Sequence, residues 1–128
     1  MDNDRSPHKI MIFEDDPDQL YILDRVLGRL YTVIASATLK DLATQLRTHR
    51  PDLVLIDNKI GLQLAQEVVP MIRKEADLQH LPFILTSGHR DIKELSEQIG
   101  AVGYLQKPFS LVKLKQMVER HLSASTVK

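Results

Sequence analysis

Short apolar runs and longer stretches with helical spacing alternate along this chain, with polar breaks between them. Lys9-Ile10-Met11-Ile12-Phe13 is the first run, and polarity returns abruptly at Glu14-Asp15-Asp16. Asp16-Pro17-Asp18-Gln19 reads as a helix start, with Asp16 as N-cap, Pro17 in the first helical position and Gln19 completing a box-like pattern. Leu20, Leu23, Leu27 and Leu30 mark one face of that helix, and Gly28 weakens its last turn. Tyr31-Thr32-Val33-Ile34-Ala35-Ser36 is a second strand. Thr38 is expected to cap a helix through about His49, with Leu39, Leu42, Ala43 and Leu46 as its buried stripe.

Pro51 introduces the central run, Asp52-Leu53-Val54-Leu55-Ile56-Asp57. Its length and branched residues suit a strand buried on both faces of a parallel sheet. Residues 58–65 are expected to form a loop and the start of a third helix, which runs to roughly Lys74 with Val68, Val69 and Ile72 apolar. Pro70 lies inside it, where it removes one backbone bond; a kink there is favoured over a restart. Leu81-Pro82-Phe83-Ile84-Leu85-Thr86 is the fourth strand. Asp91 with Glu94 forms a capping pair for a fourth helix that ends at Gly100. Residues 101–106 are the fifth strand, and Lys107-Pro108-Phe109 follow it. Ser110 caps a fifth helix bearing Leu111, Leu114, Met117, Val118 and Leu122 on one face. A strand–helix unit repeated five times, with short connections, predicts an α/β fold: a doubly wound, five-stranded parallel sheet with helices on both faces. The expected organisation is a disordered lead over residues 1–8, one domain over 9–122 and a polar tail over 123–128.

Composition narrows the function classes. Lysine plus arginine equals aspartate plus glutamate at 17 each. No overall field points to nucleic acid or an anionic membrane. No apolar run approaches a membrane span, and the N-terminus lacks a signal-peptide core. Cysteine is absent, which excludes disulfides and thiolate metal sites, and the five histidines show no ligand spacing and read as surface residues. A soluble cytoplasmic protein fits best, and the polar ends favour a whole protein.

The strand carboxyl ends carry the chemistry. Glu14, Asp15 and Asp16 follow the first strand, Asp57 the third, Ser87 the fourth and Lys107 the fifth. In an open α/β sheet these ends form the ligand crevice. Clustered carboxylates repel one another unless a cation or protons intervene. All-oxygen ligands suit a hard ion, Mg²⁺ above all, which gains further ligands from a phosphate. A lysine and a hydroxyl are natural partners for phosphoryl oxygens. Acidic residues at helix starts are often only caps, and Asp16 and Asp18 read that way.

Four segments together resemble the response-regulator receiver family: Ile12-Phe13-Glu14-Asp15-Asp16, Asp52-Leu53-Val54-Leu55-Ile56-Asp57, Ile84-Leu85-Thr86-Ser87-Gly88 and Gly103-Tyr104-Leu105-Gln106-Lys107-Pro108-Phe109. The resemblance covers residues 9 to about 122. It implies a flavodoxin-like (βα)₅ fold of strand order 2-1-3-4-5. It implies that Asp57 accepts a phosphoryl group from a sensor histidine kinase or histidine phosphotransfer protein. It implies that Mg²⁺ is held by Asp15, by Glu14 through water, by Asp57 and by the Lys59 backbone carbonyl. Ser87 takes the family's Thr/Ser position, Thr86 being one place too early; Lys107 pairs with the phosphoryl group, before a cis Lys107–Pro108 bond; Tyr104 is the switch aromatic. A downstream protein is expected on the fourth helix, fifth strand and fifth helix. Gly61 and Ala65 depart from the proline and glycine the family usually carries there, so a differently shaped loop is expected after Asp57. Lys59 and His89 border the site as possible tuners of hydrolysis. The competing readings are a docking module that works without phosphorylation and an aspartyl phosphatase. Lys59 stands where a phosphatase would need a second acid.

Overall fold

The computed structural model describes residues 8–126. Its main sheet joins β1 (Lys9–Phe13), β2 (Thr32–Ser36), β3 (Leu53–Asp57), β6 (Phe83–Ser87) and β7 (Gly103–Gln106), all paired in parallel in the order β2-β1-β3-β6-β7. This is the expected order of the five main strands. Between β3 and β6 a two-stranded antiparallel hairpin intervenes, β4 (Lys59–Ile60) with β5 (Gln63–Leu64). Helices α1 (Pro17–Leu27), α2 (Leu42–His49), α3 (Ala65–Ile72), α4 (Ile92–Ile99) and α5 (Leu111–Thr126) complete the chain.

The alternation of side chains along each strand divides the core in two. Met11 and Phe13 of β1, Val54 and Ile56 of β3, and Phe83 and Leu85 of β6 face α2, α3 and α4. Ile10 and Ile12, Leu53 and Leu55, and Ile84 face the opposite way, onto Leu23 and Leu27 of α1 and Leu114, Val118 and Leu122 of α5. Leu53, Val54, Leu55 and Ile56 are all buried, so β3 is covered on both faces. Each such side chain contributes ~1.5–3 kcal/mol of burial. That drives the central strand deep enough to fix its end at the crevice.

Several local expectations hold. Asp16 caps α1 by accepting from the Asp18 amide at 3.0 Å, and Pro17 opens the helix. Ser110 Oγ accepts from the Lys113 amide at 3.0 Å at the start of α5. Gly100 ends α4 in the left-handed region, with φ 69°. The Lys107–Pro108 peptide bond is cis. No histidine among the described residues is buried.

Others differ, each for a local reason. Thr38 closes a turn, its hydroxyl accepting from the Lys40 amide, and α2 begins only at Leu42 after Asp41 takes a left-handed φ of 53°. The Asp16 amide that Gln19 was expected to reach donates instead to Glu14 Oε2 at 3.1 Å. Leu30 lies beyond the end of α1 and is exposed. Asp91 stands at the N-cap of α4 without a side-chain capping bond, and its amide donates to His89 Nδ1 at 3.0 Å. Pro70 sits inside α3, which does not restart there but stops two residues later, short of the expected Lys74. The fifth helix continues through Thr126, past the expected boundary at residue 122. The expected disordered lead, apart from His8, lies outside the described residues; the His8 carbonyl accepts from the Thr32 amide and belongs to the sheet margin.

Candidate functional site

The parallel register brings four strand ends to one edge of the sheet. Phe13 of β1 pairs with Ile56 of β3, which places Glu14 and Asp15 beside Asp57. Asp57 pairs with Thr86 of β6, and Ser87 pairs with Gln106 of β7, the residue before Lys107. The Lys107 amide donates to the Ser87 carbonyl at 2.8 Å, which fixes the lysine and the serine side by side.

The Lys107 ammonium donates to Asp57 Oδ2 at 2.8 Å and to Glu14 Oε1 at 3.1 Å. Burial alone would lower its pKa, but the hydrogen bonds and charges of Asp57 and Glu14 outweigh burial and raise it above the ordinary lysine value. Glu14 is buried, Asp57 partly so, and Asp15 is exposed. Each of the three offers a carboxylate oxygen, and these oxygens lie within 4.8 Å of one another. Three oxygens at this spacing fit the donor chemistry of a hard divalent cation, and one ammonium does not neutralise three negative groups.

The other expected site residues lie on β4, β6, β7 and the loop after β6. Ser87 is buried, and its hydroxyl accepts from the His89 amide at 3.0 Å. Tyr104 lies on β7 opposite Leu85 and is 39% exposed, turned outward. Lys59 opens the hairpin with an exposed side chain. His89 is exposed, and its carbonyl accepts from Gln106 Nε2 at 3.3 Å.

Two features of the loop after Asp57 escape sequence reasoning. Asn58 is buried: its Oδ1 accepts from the Gln66 amide at 3.1 Å, and its Nδ2 donates to Gln66 Oε1 at 3.0 Å. It thereby satisfies a free amide at the start of α3, work normally done by the residue next to the helix. The two partners are eight residues apart, so no local pattern announces them. The second is the Gly61 amide, which donates to Asp15 Oδ2 at 2.9 Å.

This arrangement of acids, lysine and hydroxyl coincides with a match over residues 10–119 to the profile of the response regulator receiver domain. The chain belongs to the response-regulator receiver family. Its fold is similar to that of the signal receiver domain of a signal transduction histidine kinase from Syntrophus aciditrophicus, with a TM-score of 0.82 and 25% identity over 94% of each chain. It is also similar in fold, at a TM-score of 0.81 and 22% identity, to the receiver domain of a sensor histidine kinase from Pseudomonas aeruginosa. That comparison covers 92% of this chain and 99% of the other, whose crystal structure has a magnesium ion coordinated in the active-site cleft. Among curated proteins, the receiver is 31% identical over 121 residues to a "Probable cyclic di-GMP phosphodiesterase" of Vibrio cholerae. The match takes in 93% of this chain and 27% of that protein, so the receiver spans about a quarter of its length. It is 25% identical over 119 residues to the polar-differentiation response regulator DivK of Brucella anthropi, covering 91% of this chain and 97% of that one. A receiver domain of two-component signalling is therefore the established class, and receivers of the DivK type are signalling proteins. No helix among the described residues is long and apolar enough to cross a membrane.

Proposed function

We propose that this receiver accepts a phosphoryl group on Asp57 from a phosphohistidine of a sensor kinase or histidine phosphotransfer protein. The observation that carries the reading is the bridge from Lys107 to both Asp57 and Glu14, within a triad of carboxylates that includes Asp15. An Asp57 oxygen attacks phosphorus, the P–N bond breaks, and the imidazole leaves with the electron pair and takes up a proton. Positioning and charge neutralisation supply most of the rate in such transfers. Glu14, Asp15 and Asp57, with the Lys59 carbonyl, are the residues that would hold Mg²⁺, which when bound neutralises charge on the phosphoryl oxygens. Lys107 then turns from the carboxylates toward a phosphoryl oxygen, and the Ser87 hydroxyl donates to another. Release of Ser87 from the His89 amide couples the site to the β6–α4 loop, and Tyr104 turns inward. The surface of α4, β7 and α5 changes toward a downstream protein in the cytoplasm. The chain acts as a phosphoacceptor in signalling, not as a turnover enzyme, and contacts neither nucleic acid nor membrane.

Acetyl phosphate with Mg²⁺ should add one phosphoryl mass to the natural protein and none to Asp57→Asn. Asp15→Ala should stay folded and unlabelled, because Asp15 is exposed and outside the core. A labelled Asp57→Asn would move the chemistry to another acid. A natural protein that takes no label would favour the second reading, a docking module independent of phosphorylation. That reading draws on the hairpin beside the site, which carries Leu62 at 99% exposure.

A further inference from the structure

The loop after Asp57 is built as a hairpin whose only two non-strand residues are Gly61 and Leu62. Gly61 has a φ of 61°, while Leu62 is not among the residues of positive φ; this is the signature of a II′ turn. Proline cannot adopt that φ and has no amide hydrogen. Glycine supplies both, and the hydrogen is used: it bonds Asp15 Oδ2 at 2.9 Å, across 46 residues of sequence. Hairpins with two-residue strands do not stand alone in water. This one is held from below by Ile60, which is 2% exposed in the core, and at its turn by Asp15.

We propose that the Gly61 amide is a positioning group for the metal site: it fixes the rotation of the Asp15 carboxylate while leaving that group's other lone pairs for the cation. The proposal rests on the reading of Asp15 as a ligand of Mg²⁺. Of the three acids Asp15 is the exposed one, so it has no packing to orient it. Glu14 and Asp57 are both held by Lys107, and Gly61 does for Asp15 what Lys107 does for them. Partners of this kind, one bond removed from the metal, typically change its affinity 10- to 100-fold. The coupling is reciprocal: what the hairpin does for the cation, the cation does for the hairpin.

The test replaces the Gly61 N–H by oxygen, incorporating glycolic acid at position 61 so that an ester stands in place of the amide. Gly61→D-Ala is the companion: it keeps the N–H, and a D-residue takes without strain the positive φ that strains any L side chain here. Mg²⁺ affinity is read from the NMR shifts of amides near Asp15 and Asp57. Amide exchange at Gly61 in the natural protein gives a second measurement that needs no variant. The ester should bind Mg²⁺ about 10-fold more weakly, Gly61→D-Ala should bind like the natural protein, and saturating Mg²⁺ should slow exchange at Gly61. Equal affinity of ester and natural protein, or exchange at Gly61 indifferent to Mg²⁺, overturns the positioning role and leaves the phosphoacceptor reading standing. A natural protein that does not bind Mg²⁺ at all overturns both.

Discussion

Replacing Lys107 by methionine would expose the electrostatic balance of the site. The ammonium is 24% exposed, and its partners Asp57 and Glu14 are 14% and 4% exposed. Its folded pKa lies above the ordinary lysine value, because the bonds and charges of Asp57 and Glu14 outweigh the opposing effect of burial. A raised lysine pKa contributes stability that is complete below the unfolded value and fades only as pH climbs through the folded one, so the bridge is intact at neutral pH. Without it, carboxylates no more than 4.8 Å apart face one another. At an effective dielectric of ~20, two unit charges at that separation repel by ~3.5 kcal/mol. Breaking a fully buried pair costs ~3–5 kcal/mol. Water reaches the Lys107 end, so a loss of about 2–3 kcal/mol at neutral pH is expected. Mg²⁺ should narrow the gap, stabilising the variant more than the natural protein, because no ammonium competes for the acids. Urea unfolding with and without Mg²⁺ measures both effects. A variant as stable as the natural protein at neutral pH, or one helped no more by Mg²⁺, would refute the argument.

Ser87→Ala should still be phosphorylated at Asp57 but should lose coupling to Tyr104; NMR of α4 and β7 amides with beryllofluoride tests this, and equal shifts in both proteins would remove Ser87 from the switch. Arg73 donates to the carbonyls of Ile99, Gln79 and Gly100 at 2.8, 2.8 and 3.0 Å and lies 5.0 Å from the Phe83 ring centre. Arg73→Met should therefore cost about 2–3 kcal/mol in urea unfolding, by stranding carbonyls at the end of α4. Asp16→Ala removes the α1 cap and should cost ~1 kcal/mol, yet mass spectrometry should show it labelled by acetyl phosphate like the natural protein.

The fold was legible in the sequence wherever one face of an element is apolar. The runs at residues 10–13, 53–56 and 83–85 could only be buried, and the helical stripes between them could only cover the sheet. Parallel order then carried Glu14, Asp15, Asp57, Ser87 and Lys107 to one edge without any need for coordinates. Caps were read well where donor and acceptor are near neighbours, as at Asp16 and Ser110. They were misread at Thr38, whose hydroxyl accepts from a turn amide instead of a helical one, and at Asp91, which stands at the N-cap without a side-chain bond while its own amide donates to His89 Nδ1.

What the chain could not announce are bonds between residues distant in sequence, because only folding sets their separation. Lys107 and Glu14 are 93 residues apart and meet at 3.1 Å. Asn58 reaches past a hairpin to Gln66, and that hairpin has strands too short to leave a pattern. Composition and periodicity determined the sheet, its two covered faces and which acids share its edge, because burial is decided residue by residue along each element. The tertiary structure alone decided that Lys107 bridges two of those acids and that the Gly61 amide holds the third. Hydrogen-bond geometry is fixed within tenths of an ångström, and no one-dimensional pattern carries that information.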